Sequence, residues 1–121
     1  MYDRVNLADL ELHENTIADG RVRAVGYELR PAKMRPSVWV FEPGEQSTKH
    51  YQEEQEELYH VLSGQFELTI FDDDETETLE LEPGDVVVVS SDEVRQLTCL
   101  DAGEVFIVGA PNTKDDGVVV D

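Results

Sequence analysis

The spacing of turn signals constrains this chain more than any other feature. Short runs rich in Val, aromatics and apolar–polar alternation are broken by Gly, Pro and Asp clusters roughly every ten residues. "RVRAVGYEL" (Arg21 to Leu29) and "SVWVFEP" (Ser37 to Pro43) read as strands, joined by the proline-bearing connection "RPAKMRP". "LYHVLSGQFELTIFD" (Leu58 to Asp72) is a long extended segment with a bend or bulge expected at Gly64. "TLELEPGDVVVVSS" supplies two strands around its "EPGD" turn, and "VRQLTCL" and "EVFIVGAP" follow on either side of "DAG". The "VVVV" run from Val86 to Val89 reads as buried on both faces. Helix signals are confined to "NLADLELHE", with Asn6 as the cap. The fold class expected is all-β: a sandwich or barrel whose edges are closed by a jelly roll or by strand exchange in a homodimer. The division expected is an N-terminal arm over 1–20, a barrel over 21–111 and a C-terminal tail over 112–121.

The 121 residues suit one domain with one core. Acidic residues outnumber basic ones 28 to 9, for a formal net charge of -19. Such a surface repels nucleic-acid phosphate and anionic lipid, so neither is an expected partner. The acids are spread along the whole chain, which favours a salt-adapted, halophilic surface over one acidic face for a basic partner. Cys99 is the only cysteine, so no intrachain disulfide forms and a reducing compartment is the default. The polar N-terminus lacks the apolar core of a signal peptide, and no apolar run approaches the ~20 residues of a membrane span. The expected location is the cytoplasm.

The chemistry-bearing residues cluster in "PGEQSTKHYQEEQEELYHVLSG". Strand alternation puts His50 and Gln52 on one face, and Glu57 and Tyr59 on one face of the returning strand. A regular hairpin closed by the solvated turn "EEQE" sets Gln52 opposite Glu57 and His50 opposite Tyr59, collecting all four in one patch. His60 lies on the other face and reads as packing or interface, Trp39 and Phe41 as core or dimer contact, and Cys99 as a small buried apolar residue.

In this stretch the chain resembles the cupin superfamily. Gly44, His50, Glu57 and Gly64 stand at the places and spacing of the first cupin motif, with Gln52 where a second histidine belongs. In the second motif Gly84 fits, while Ser90, Asp92, Arg95 and Cys99 fill the places of Pro, Gly, His and Asn. The resemblance covers about residues 20–111 and implies a jelly-roll (double-stranded β-helix) barrel, often a homodimer, with a pocket lined by these residues. Three histidines and a glutamate hold the ion in metal-bearing cupins; here one histidine and the glutamate remain.

Arg95 keeps its proton at any ordinary pH. Against a divalent ion ~5 Å away, an effective dielectric near 20 gives a repulsion of about 7 kcal/mol. A weak amide ligand does not offset that. The cheaper arrangement lets Arg95 neutralise Glu57 or meet the acidic group of a ligand.

Three functions follow as expectations. The first is a binder of a small polar or acidic ligand, held by His50, Gln52, Glu57 and Arg95 with no cofactor. The second is a metal-dependent dioxygenase or isomerase, with Zn, Fe, Mn or Ni held by His50, Gln52 and Glu57. The third is a metal-free sugar isomerase or epimerase with His50 as base and Tyr59 as acid.

Overall fold

The computed structural model describes residues 2–121. It is built almost wholly of antiparallel strands: β1 (Leu12–Glu14), β2 (Arg21–Arg23), β3 (Arg35–Phe41), β4 (His50–Gln52), β5 (Glu56–Phe71), β6 (Thr76–Leu81), β7 (Val86–Val89), β8 (Val94–Ala110) and β9 (Gly117–Val119). Two long strands, β5 and β8, pair along their whole lengths. Their first and second halves belong to different faces of a curled sheet. On one face the order is β1-β2-β3-β8-β5-β7; on the other it is β9-β4-β8-β5-β6. This is an all-β barrel, as the turn spacing allows, in the jelly-roll form that the cupin resemblance implies.

The bend that separates the faces sits at Gly64, where the β5–β8 register shifts between Val61 and Phe66. Gly64 has φ of +83°, and a Cβ there would fall 2.6 Å from the Asp101 carbonyl oxygen. Gly103 on β8 lies directly against it: any Cβ would overlap the Ser63 carbonyl. The bend also switches the inward parity of β5. Tyr59 and Val61 point into the core before it, and Phe66 and Leu68 after it. These four pack with Phe41, Leu81, Val89, Leu97, Cys99 and Val105 in one apolar cluster.

Several local expectations are corrected. "DAG" does not end a strand: β8 runs unbroken from Val94 to Ala110, because Gly103 lets it bend with β5 and not away from it. The strand expected over Arg21–Leu29 stops at Arg23 and becomes a short helix, α1 (Val25–Leu29). The register Arg23↔Val38 would bring Val25 opposite Pro36, which has no N–H to continue the ladder. The expected N-terminal helix is a single 3-10 turn, Leu7–Asp9, capped by Asn6 accepting from the Ala8 N–H at 2.9 Å; β1 follows it. Within the expected tail, β9 pairs with β4. Val86 and Val88 are more than half exposed in the single chain, so "VVVV" buries one face and not two.

The bend predicts a contrast. Gly103→Ala should cost about 2–4 kcal/mol in urea unfolding at molar salt, because backbone must move to admit the methyl group. Gly44, whose added Cβ would meet nothing within 4 Å but whose φ is +87°, should cost only about 1–2 kcal/mol as Gly44→Ala.

Candidate functional site

The barrel interior opens as a cavity of about 860 Å³. Its apolar wall is Trp39 and Phe41 of β3, with Leu97 and Ile107 of β8. Its polar wall is His50 and Gln52 of β4, Glu57 and Tyr59 of β5, and Gln55 between them. The four residues expected in one patch therefore do line one chamber.

They do not meet across a hairpin. β4 pairs with β8 (His50↔Arg95) and with β9 (His50↔Val119), and β5 is not its partner. The reason lies in "EEQE". Asp116, just before β9, accepts from the backbone N–H groups of Glu54 and Gln55 at 2.9 and 2.7 Å, and its carbonyl accepts from Glu53 at 3.1 Å. The turn is thus anchored to the C-terminal segment, and β4 and β5 enter the barrel on different faces. Glu53, Glu54 and Glu56 stay exposed, while Gln55 is buried. Its amide donates to the carbonyls of Pro111 and Thr113, and its oxygen accepts from Gln52 Nε2 at 2.9 Å. Sequence reasoning missed Gln55; the only signal was that it is the one uncharged residue of the turn.

Glu57 is the centre of the polar wall. Its Oε1 takes Arg95 Nη2 at 2.6 Å, the Tyr59 hydroxyl at 3.0 Å, and stands 3.7 Å from His50 Nε2. Burial pushes the Glu57 carboxyl up, but the nearby His50 and Arg95 together outweigh it and hold it below the ordinary carboxylate value. Tyr59 moves the other way. Burial first, then the Glu57 charge, pushes its ionisation far above that of a free phenol. The His50 Nδ1 donates to the Thr48 carbonyl at 2.9 Å, which turns its Nε2 toward Glu57.

Arg95 is completely buried and shares the inward face of β8 with Leu97 and Cys99. Besides Glu57, its Nη1 donates to the carbonyls of Glu93, Ser91 and Ser90, and its Nε to the Tyr59 oxygen at 3.4 Å. Of the two tasks expected of Arg95, it performs the first, neutralising Glu57. For the second, meeting a ligand's acidic group, Arg95 stands outside the cavity lining, with an oxygen partner on each of its three nitrogens. Cys99 is buried with its Sγ on the Asp101 carbonyl, and burial, then nearby Glu45, Glu42 and Asp101, push the thiol up, away from the reactive thiolate. Among the described residues, no group of three or more His, Cys, Asp and Glu side chains converges as a metal cluster would. No helix among them is long and apolar enough to cross a membrane.

A model of the cupin domain matches residues 37–109. No curated protein matches the chain in sequence. Solved structures share its fold. KdgF from Halomonas sp. superposes with a TM-score of 0.75 at 18% identity, over 89% of this chain and 94% of that one. The polyketide cyclase RemF from Streptomyces resistomycificus gives 0.80 at 20%, over 100% and 87%. An oxalate decarboxylase of Bacillus subtilis gives 0.79 at 17%, over 96% of this chain but only 32% of that one.

The buried pair predicts a pH signature. Glu57→Gln leaves the Arg95 charge without its carboxylate and should destabilise the fold at neutral pH by about 3 kcal/mol. A depressed carboxyl contributes stability above its unfolded value and loses it as pH falls through the folded one. The gap between wild type and Glu57→Gln, followed by urea unfolding, should therefore shrink as the pH drops below about 4.

Proposed function

This chain belongs to the cupin family, and from that premise we propose that it is a metal-free binder of a small acidic ligand held inside the barrel. The observation that carries the reading is the 2.6 Å contact of the buried Arg95 guanidinium on Glu57 Oε1. The residues that would hold a divalent ion do not fit one. Glu57 is already neutralised by a fixed cation, Gln52 offers a neutral amide, and His50 is the single imidazole. The Glu57 oxygen that faces His50, Oε1, is the one that Arg95 already holds. The chamber itself is of ligand size, with an apolar wall facing a few polar groups.

The acid–base reading with His50 and Tyr59 has less support. The Tyr59 proton is held by Glu57, and its ionisation is pushed up, so it is a poor proton donor. His50 lines the chamber with its Nε2 beside Glu57 and is better read as a ligand contact, with Gln52 beside it.

Two measurements check this. Elemental analysis of protein purified without a metal-affinity column should find well under one divalent ion per chain, and chelator dialysis should leave the melting temperature unchanged. A stoichiometric metal sinks the reading. The exposed Val86 and Val88 suit an interface between two copies, so light scattering in molar salt should give twice the 13.7 kDa chain mass. A clean monomer refutes the dimer.

A further inference from the structure

We propose that the mouth of the cavity is an anion-docking rim, formed by Arg30, Arg35 and Lys114, which holds the carboxylate of an organic acid while its apolar body lies against Trp39 and Phe41. This deepens the reading of the barrel as a ligand binder and rests on it.

The charge distribution points there. With 28 acidic residues in 121, a stretch of thirteen carries about three on average, yet residues 29–41 contain none. That stretch holds Arg30 and Arg35 at the mouth and then runs down β3 into the chamber as Ser37, Trp39 and Phe41. The cavity is lined by three cations, Arg30, Arg35 and Lys114, against two acids, Glu57 and Asp115. Glu57 is cancelled by Arg95. A molecule of net charge -19 thus presents a positive entrance.

These cations are also free to act. Arg21 and Arg23 pair with Glu42 and Glu104, and Lys49 lies over the Phe71 ring. Arg30, Arg35 and Lys114 have no carboxylate partner among the described residues. Two of the three are held in place. Arg30 is the left-handed cap of α1, with its guanidinium 4.6 Å from the centre of the Tyr27 ring. Arg35 Nη1 donates to Asn112 Oδ1 at 3.2 Å, and Asn112 Nδ2 donates to the Pro31 carbonyl at 2.9 Å. The connection 30–35 is so tied to the segment that carries Lys114.

Orientation follows from what lies deeper. A carboxylate at the floor finds Glu57 already paired with Arg95 and no unpaired Arg or Lys; at the mouth it meets the cations. Most deep polar groups are already partnered: Gln52 with Gln55, Gln55 with Pro111 and Thr113, and Tyr59 and Arg95 with Glu57. A body covered in hydroxyls finds few partners there. Trp39 and Phe41, stacked with centroids 6.0 Å apart and planes 13° from parallel, offer a flat apolar wall.

Trp39 is the only tryptophan, so its indole N–H gives one resonance that reports on the chamber. Labelled protein titrated with naphthoate and with its neutral amide, naphthamide, at one fixed salt concentration provides the test. Naphthoate should saturate the Trp39 shift at a concentration roughly fivefold or more below naphthamide. In the triple variant Arg30→Gln, Arg35→Gln, Lys114→Gln the ratio should fall to about one, with the continued naphthamide response confirming that the variant is folded. Equal affinities in the wild type, or a ratio that survives the triple variant, overturn the rim and leave the barrel standing as a binder. Failure of both compounds to move Trp39 overturns the two together.

Discussion

At one point in this molecule two backbones touch with nothing between them. Gly64 of β5 and Gly103 of β8 lie in contact, and neither admits a methyl group. This contact lets the two longest strands bend together and keep pairing through the bend, so that one ladder serves both faces of the barrel. The inward-facing set of β5 changes parity at the same point, which puts Glu57 and Tyr59 in the open half and Phe66 and Leu68 in the sealed half. The division of the interior into a packed end and an open end therefore traces to a backbone requirement, and side-chain packing follows from it.

Within the open half, the arrangement around Glu57 is closed on itself. A guanidinium buried without partners is costly, and here each of its nitrogens finds an oxygen: one carboxylate, one phenol and three main-chain carbonyls. The carbonyls come from residues 90–93, the turn that leads into β8, so the charge also fixes how that strand begins. The central oxygen of the chamber, Glu57 Oε1, is occupied by a permanent cation of the protein's own. The surplus positive charge lies at the entrance, on Arg30, Arg35 and Lys114, outside both cupin motifs.

The sequence carried the fold class through turn spacing, and the bulge through Gly64. The second cupin motif puts Arg95 in the place of a histidine, but strand parity leaves open which way it points, and the structure buries it. Strand faces put His50, Gln52, Glu57 and Tyr59 in one chamber, but the hairpin supposed to join them does not exist. Its absence turns on Asp116, more than sixty residues beyond the turn it anchors, and no local pattern announces such a partner. The end of β2 is hidden for a related reason: "RVRAVGYEL" opens with a strand pattern, and the register that would set Val25 opposite Pro36 depends on a partner strand more than ten residues on. The commitment of Arg95 to main-chain carbonyls was hidden too, since such oxygens are present everywhere and leave no compositional trace.

β9 is three residues long, yet it is what gives β4 more than a single bridge to the rest of the sheet. The residue just before it also clamps the turn that carries Gln55. A chain made from its amino end exposes His50 and Gln52 long before the segment that secures them has been synthesised. The open chamber is consequently completed late, after the packed cluster has every strand that contributes to it, and a nascent or clipped chain lacking those few residues would hold a finished core beside an unlatched door.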